Sequence, residues 1–425
     1  MTATGTADTS IEVTGPAAAR PHFGGFESLR ALAAVMVVVH HAATVAGPSR
    51  SGFVATPAAV MDGGVAVFFV LSGFLIYRPL VADHLAGRDA AGWLGFWWRR
   101  LLRIVPAYWA ALSFFWLLGS FDLGAQWWRY YLFLQVYSAD TVFGGIVQAW
   151  SLCTEIVFYL LVPVWAALVV RVTAMVGDSG RDEMARYRRR AVFQVAACAS
   201  LWAVGPASRW GIERWAPGQR GLSFNWLPTN LDLFATGMIL AVLSAWAVHD
   251  PVVRARLDRV AGAVWPWWLA GVALFAWYAY RIGGADLATG YSGWFWHRRQ
   301  FVLGLFTLLL LVPAVFGDQA RGRLRRIWSW PPLVWVGTVS YGLYLWHLDW
   351  MQRAVGSEDR PGWVTTPMGD SNLLWVLGVG LGVGLLSAAV SWYLVEEPLQ
   401  RWKHLVGRGR RGRPGHALGG AEAAR

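Results

Sequence analysis

The sequence predicts an all-α fold, a polytopic membrane bundle of about ten transmembrane helices with both termini in the cytoplasm. Hydrophobic residues make up 56% of the 425 residues and charged residues only 15%, too little charge to cover soluble domains. The apolar residues gather in ten segments, and the 29 tryptophans favour the headgroup level of a bilayer. The net charge of +12 lies in short basic runs between these segments, which does not indicate a nucleic-acid-binding face.

The ten apolar segments are the predicted spans, in chain order. A straight helix needs about 20 residues to cross the hydrocarbon core, so the shorter segments are expected to tilt or to extend at their ends. The fifth segment is the shortest and predicts a span least clearly. The segments are Leu29 to Ala46, Val65 to Leu80, Ile104 to Phe121, Trp150 to Val170, Ala191 to Val204, Leu231 to Val248, Val260 to Tyr280, Phe301 to Phe316, Leu333 to Trp350 and Leu373 to Leu394.

The distribution of arginine and lysine predicts the orientation. Most of them lie in loops that are cytoplasmic if the N-terminus is cytoplasmic, and an even number of spans returns the C-terminus to the same side. We expect residues 1–26 to form a disordered cytoplasmic tail, residues 27–400 the transmembrane domain, and residues 401–425 a basic tail against anionic lipid. The predicted location is a cell membrane, which the chain crosses several times.

The two cysteines, Cys153 and Cys198, lie inside apolar segments. Their positions predict neither a disulfide framework nor a metal site of the Cys-x-x-Cys type. We therefore expect no metal and no permanently bound cofactor.

Ionisable side chains inside the predicted spans are the main indication of function. Such a group costs at least about 2.5–3.5 kcal/mol at mid-bilayer, so it usually faces a cavity. In the first span, Arg30 and His41 are eleven residues apart. Eleven residues make about three full helical turns, so both side chains lie on nearly the same face of the helix, whereas His40 lies on another face. Their axial separation is about 16 Å, so Arg30 is expected near the inner boundary and His41 in the outer half.

Three further spans carry polar residues that are expected in the outer half. In the fourth span, Glu155 has Ser151 and Tyr159 one turn away on either side. The others are Asp232 in the sixth span and, in the ninth span, Ser340, Tyr344 and His347 on one face. A shared depth predicts a polar pocket at the outer side, and the alternative is that these are scattered structural residues.

A basic run, Arg99, Arg100 and Arg103, precedes the third span. Such a run often only determines topology. Arg100 and Arg103 lie one turn apart and could also bind phosphates through paired hydrogen bonds.

Together these stretches resemble the acyltransferase 3 family of membrane O-acyltransferases, which includes O-antigen and peptidoglycan O-acetylases and macrolide acyltransferases. The resemblance covers about residues 25–400. The matching stretches are Arg30 with His41, Gly64 to Ile76, Arg99 to Tyr108, Trp150 to Tyr159, Ser340 to His347, and Glu396 to Pro398.

The resemblance implies an O-acyltransferase that takes an acyl group, acetyl foremost, from acyl-CoA to a hydroxyl group of a cell-envelope glycan or a glycosylated natural product. An alcohol needs a base near neutral pH, and we predict that His41 is this base and that Glu155 orients its imidazole. Arg30, Arg100 and Arg103 are predicted to bind the donor phosphates. The candidate substrate or oxyanion contacts are Ser72, Trp150, Ser151, Tyr159, Asp232, Ser340, Tyr344 and His347.

Two other functions stay open at this point. A proton-coupled transporter would also use intramembrane Arg, His, Glu and Asp, although the sequence shows no inverted repeat. A non-catalytic scaffold or sensor would not depend on His41 and Glu155. No soluble hydrolase-like domain follows the apolar part, so we expect the ten spans to bind both donor and acceptor.

Overall fold

The computed structural model describes residues 25–47, 55–88, 92–176, 182–283, 293–319, 322–357, 360–361 and 370–406. In these ranges the chain is almost entirely helical, which confirms the all-α class. The exception is a two-residue antiparallel pair, Gly356–Ser357 with Arg360–Pro361. Most of the predicted N-terminal tail and of the basic C-terminal tail lies outside the described residues.

Twelve helices of eight or more residues build the described part of the chain, and we number them in chain order. They are α1 (Phe26–Ala46), α2 (Gly64–Leu85), α3 (Trp93–Leu117), α4 (Trp150–Met175), α5 (Glu183–Trp215), α6 (Leu227–His249), α7 (Pro251–Val260), α8 (Val264–Tyr278), α9 (Trp294–Val315), α10 (Pro331–Thr338), α11 (Ser340–Val355) and α12 (Asp370–Ser391).

Short helices and turns join or extend these elements. The short α-helices are Ala55–Ala59, Trp127–Tyr131, Arg220–Ser223, Arg323–Trp328 and Glu397–Gln400. The 3₁₀ turns are Met61–Gly63, Gly124–Gln126, Gln135–Tyr137, Val147–Ala149, Pro217–Gln219 and Arg401–His404, and the π-helical turns are Ala279–Gly283 and Trp392–Glu396.

Seven helices of the described ranges are long and apolar enough to cross a membrane, and an eighth candidate is the pair α7 and α8, bent by 59°. The seven contain α1, α2, α4, α5, α6, α9 and α12. The protein is therefore a multi-pass membrane protein. The other two predicted spans are α3 and the broken pair α10 and α11, which fall outside that set. The count of ten spans and the cytoplasmic position of both termini stay predictions.

Helices α2 and α6 pack backbone to backbone. A Cβ atom on Gly73 would overlap the carbonyl oxygen of Phe234, and one on Gly237 would overlap that of Val70. Small residues let helices approach this closely in a membrane, where apolar surface gives little driving force between helices. Gly73 and Gly237 therefore serve close helix packing.

Helices α1 and α2 run antiparallel, and this contact fixes the depth of the residues they carry. The rings of Phe26 and Phe74 lie 5.0 Å apart between centroids, at the start of α1. Farther along, a Cβ atom on Gly64 would meet the backbone of Ala33. Ser72 therefore lies level with the first turns of α1, near Arg30.

Candidate active site

A narrow pocket lies between α1, α2, α3, α4 and α11, and we call it the arginine pocket. Its volume is about 80 Å³, well below the ~300–1,000 Å³ of pockets that enclose a drug-sized ligand. It is therefore wide enough only for a small group or the end of a chain. Its polar lining residues are Arg30, Ser72, Arg100, Arg103, Ser151, Glu155, Tyr159, Tyr341 and Tyr344.

Glu155 is the acidic residue of the arginine pocket. Its Oε1 accepts hydrogen bonds from the hydroxyl groups of Ser72 on α2 and Tyr159 on α4. Tyr159 follows one helical turn after Glu155, so both side chains leave α4 on the same face. The two donors hold the carboxylate between α2 and α4.

The three predicted phosphate-binding arginines do meet in this pocket. Arg100 lies over the rings of Phe96 and Tyr159, 5.8 Å from each centroid, and its buried Nε has no hydrogen-bond partner among the described residues. Arg30 lies 3.6 Å from Glu27. The lining contains three arginines and one carboxylate, a formal charge of 3 − 1 = +2, so the pocket favours an anion.

His41 pairs with His347 and not with Glu155. His41 Nδ1 lies 2.7 Å from His347 Nε2, and the rings stack with centroids 5.0 Å apart. Ser72 and hence Glu155 lie level with the start of α1, whereas His41 lies about 16 Å farther along that helix than Arg30. The predicted pair of His41 and Glu155, and their predicted common depth, are therefore wrong.

The hydrogen bonds of the two histidines define their tautomers. His347 Nδ1 lies 2.8 Å from the carbonyl oxygen of Leu343, which can only accept, so His347 Nδ1 carries a proton. A neutral His347 then accepts at Nε2 from His41 Nδ1–H. The remaining nitrogen, His41 Nε2, keeps its lone pair, and the described residues form no hydrogen bond with it. That nitrogen can act as a base.

Tyr344 separates the arginine pocket from the histidine pair. Its hydroxyl lies 2.7 Å from the hydroxyl of Ser151 and 2.7 Å from the carbonyl oxygen of Gln148. Its ring centroid is 6.2 Å from that of His347 and 6.0 Å from that of Phe68. Phe68 and Tyr344 both line the pocket, so the pocket extends to the ring that contacts His347.

Three predicted contacts lie elsewhere. Asp232 is buried and accepts two hydrogen bonds from Arg209, at 3.1 and 2.7 Å. It belongs to a structural ion pair and does not line the arginine pocket. Trp150 packs its ring near Phe69 and Phe224. Ser340 donates to the carbonyl oxygen of Gly337 at 2.7 Å, where α10 ends and α11 begins.

Sequence reasoning missed some residues that build the site. Tyr341 lines the pocket and donates to the carbonyl oxygen of Ile104 at 2.7 Å. It lies three residues before Tyr344 on one helix face, a spacing that could have identified it. Gln148 donates to the carbonyl oxygens of Tyr344 and Leu345 at 3.1 and 2.9 Å, and no local pattern marks it.

The described residues contain no group of three or more His, Cys, Asp or Glu side chains that could hold a metal ion. Cys153 and Cys198 are both buried.

Comparison with known proteins gives a family and several relatives. The model of a family described as "Acyltransferase domain" matches residues 23–394. The chain is similar to "O-acetyltransferase OatA" of Staphylococcus aureus, 24% identical over 347 residues, which cover 76% of this chain and 49% of that protein. It is also similar to "Peptidoglycan O-acetyltransferase OatA" of Listeria monocytogenes, 22% identical over 409 residues, covering 90% and 56%. The chain thus spans about half the length of the curated relatives it matches. No solved structure matches it.

Proposed function

The chain belongs to the acyltransferase 3 family of membrane acyltransferases, and from this premise we propose that it transfers an acyl group, acetyl foremost, to a hydroxyl group of a cell-envelope glycan. One observation carries the proposal. A cationic pocket for an anionic donor lies next to a histidine whose tautomer leaves Nε2 free to take a proton.

Acyl-CoA is the proposed donor. Arg30, Arg100 and Arg103 are the groups that would bind its phosphates, because guanidinium groups make paired, charge-assisted hydrogen bonds with phosphate oxygens. The narrow pocket accepts a thin chain better than a bulky head. Arg30 and His41 are about 16 Å apart along α1, which fits a flexible pantetheine arm that reaches from the arginines towards the histidine.

The transfer step would use His41 as general base. His41 Nε2 takes the proton of the acceptor hydroxyl while its oxygen attacks the thioester carbonyl carbon. The tetrahedral intermediate then expels the coenzyme A thiolate, which takes a proton from the imidazolium. The ester of the acceptor and free coenzyme A are the products.

His347 would orient this base. Its Nε2 accepts from His41 Nδ1–H, and the carbonyl oxygen of Leu343 holds His347 in turn. A carboxylate fulfils this role in many catalytic triads, and here a neutral imidazole occupies the same position. Glu155 is assigned instead to the arginine pocket, where it holds Ser72 and Tyr159 and balances part of the positive charge.

The acceptor class rests on the names of the relatives. The Listeria monocytogenes protein is named as a peptidoglycan O-acetyltransferase, so peptidoglycan is the first acceptor to test. A glycosylated small molecule is the second, because the sequence resemblance extends to macrolide acyltransferases.

The test is acyl transfer from radiolabelled acetyl-CoA in membranes that contain the wild type, His41→Ala or His40→Ala, with peptidoglycan fragments and macrolides as acceptors. His40 is a matched control because its Nδ1 contacts the carbonyl oxygen of Ala59, 2.9 Å away, and not His347. We expect His41→Ala alone to lose transfer. Equal transfer in all three membranes would reject His41 as the base. Solute flux in liposomes without acetyl-CoA, together with no transfer, would favour the transporter.

A further inference from the structure

A second cavity lies beside the arginine pocket, and we call it the inner cleft. It lies between the ends of α2 and α4 and the starts of α3 and α5. Its volume is about 450 Å³, within the ~300–1,000 Å³ range of small-molecule sites and several times that of the arginine pocket. The inner cleft is therefore wide enough for a head group that the arginine pocket cannot take.

The lining residues of the inner cleft follow those of the arginine pocket along three helices. On α2, Ile76 lines the pocket and Leu80 the cleft, one turn farther on. On α3, the neighbours Arg100 and Arg99 line the pocket and the cleft respectively. On α4 the same succession runs from Tyr159 in the pocket to Pro163 in the cleft. A ligand could thus place its head in the cleft and its tail in the pocket.

The inner cleft is strongly cationic. Arg88, Arg99, Arg171 and Arg190 line it, and Asp83 is the lining carboxylate, so the formal charge is 4 − 1 = +3 with histidine neutral. Asp83 is already paired with Arg88 at 2.8 Å. The described residues provide no ion-pair partner for Arg99 or Arg171. Two exposed guanidinium groups are thus free to bind an anion.

Aromatic rings lie beside these arginines. Trp93 and Phe96 line the cleft, and Trp93 is 40% exposed. An exposed ring next to guanidinium groups is the combination that binds a nucleotide, because the base stacks while the phosphates are neutralised.

We propose that the inner cleft binds the adenosine end of the acyl donor, its adenine base and 3′-phosphate, while the arginines of the arginine pocket bind the diphosphate and the pocket receives the arm that carries the acyl group. This inference rests on the proposed function for the identity of the donor. A wide cationic cleft that continues into a narrow pocket matches a ligand with a polyanionic head on one thin chain. A lipid with a phosphate head shares the phosphate chemistry but carries two thick chains.

The test compares the double variant Arg99→Gln/Arg171→Gln with the control Arg189→Gln/Arg254→Gln, which removes the same charge from two exposed arginines outside the cleft. The full chain is placed in nanodiscs of zwitterionic lipid. Binding of adenosine 3′,5′-bisphosphate, coenzyme A and pantetheine is measured by equilibrium dialysis. We expect the cleft variant to weaken binding of the first two about tenfold or more and to leave pantetheine unchanged, since each arginine supplies a charge-assisted hydrogen bond.

Transfer kinetics separate this inference from the proposed function. The cleft variant should raise the KM for acetyl-CoA and keep the kcat, whereas His41→Ala should lose kcat and keep nucleotide binding. Equal nucleotide affinity in both double variants would overturn the inference while transfer in the wild type stands. Displacement of the nucleotide by phosphatidylglycerol would assign the cleft to a lipid head group and also overturn it. No transfer in the wild type would reject the proposed function alone.

Discussion

The contact between His41 and His347 replaces a charged orienting group by a neutral one. A carboxylate stabilises an imidazolium by charge, whereas His347 can offer only a hydrogen bond from its lone pair. The arrangement therefore favours a base that is protonated only briefly during the reaction. His347 is fully buried.

Replacement of His347 by Phe tests the orienting role. The ring fills a similar space but cannot accept from His41 Nδ1–H, so His41 loses its fixed tautomer. We expect kcat to fall about 10²–10⁴-fold with little change in the KM for acetyl-CoA. Steady-state kinetics measure both constants, and His347→Gln, which can still accept, should recover part of the rate. A normal kcat in His347→Phe would contradict the assignment.

Replacement of Glu155 by Gln tests its assignment to the arginine pocket against the role predicted from the sequence, orientation of His41. Without the carboxylate the formal charge of the arginine pocket rises by one, so we expect the KM for acetyl-CoA to fall several-fold. The pH dependence of kcat, which reports the histidine pair, should not change. A shift in that pH dependence would instead show that Glu155 acts on His41. Tyr159→Phe serves as the control, since it removes one hydrogen bond to Glu155 and no charge.

Some of the site could be predicted from spacing alone, and some could not. The eleven-residue interval placed Arg30 and His41 correctly on one helix because helix geometry is regular. Glu155 was misplaced because its depth depends on how α4 is shifted against α1 and α2, which no local pattern records. Asp232 was misread because its partner, Arg209, is 23 residues away in the sequence and lies on another helix.

At the scale of the element, the largest differences between the predicted segments and the observed helices are in the positions of the helix ends. The fifth segment predicted a short span, yet α5 has 33 residues, since the helix extends beyond both ends of that segment, from Glu183 to Trp215. Apolar residues mark only the part of a helix that lies in hydrocarbon. The ninth segment hid the break between α10 and α11, where Ser340 begins the second helix. No single residue type in an apolar segment predicts such a break between two helices.

The close contact of α2 and α6 predicts that Gly73→Ala is destabilising. The added methyl group would overlap the carbonyl oxygen of Phe234 and push the two helices apart. Overpacking of this kind costs about 1–3 kcal/mol, so we expect a Tm lower by several degrees in detergent. Gly378→Ala is the control, because no atom lies within 4 Å of the added methyl group there. Equal Tm values in the two variants would argue against the backbone contact.

Asp250 is the N-cap residue of α7, and its contacts predict that the stability of the protein depends on pH. Its carboxylate accepts from the backbone N–H groups of Val252 and Val253 and from the side chain of Arg188. The hydrogen bond from Arg188 lowers the pKa of this carboxyl group to about 2. The stabilisation is therefore present above the unfolded pKa of about 3.9 and is lost as the pH falls towards 2.

Thermal unfolding of the wild type and Asp250→Ala in detergent measures this effect. We expect the Ala variant to unfold a few degrees lower at pH 7, and this difference to shrink between about pH 4 and pH 2. Asp250→Asn keeps a helix cap without the charge and should show a smaller difference at pH 7. A difference between wild type and Asp250→Ala that stays constant down to pH 2 would contradict the ion pair with Arg188.

For the whole molecule, the predicted orientation can be tested with single cysteines. Both native cysteines, Cys153 and Cys198, have no exposed surface, so they should not react with a membrane-impermeant maleimide. Asp140→Cys, in a predicted outer loop, should be labelled in intact cells. Arg256→Cys, in a predicted inner loop, should be labelled only after permeabilisation. Labelling of Arg256→Cys in intact cells would show that the predicted orientation, or the predicted number of spans between the two sites, is wrong.

The ion pair of Arg209 and Asp232 has a consequence for how this molecule can change over generations. Both side chains are buried, and removal of one leaves the other charge uncompensated, at a cost of about 3–5 kcal/mol. Joint replacement by apolar side chains of similar volume is often neutral. The two positions therefore form a single heritable unit, and a lineage can leave this state only by two substitutions that arrive nearly together.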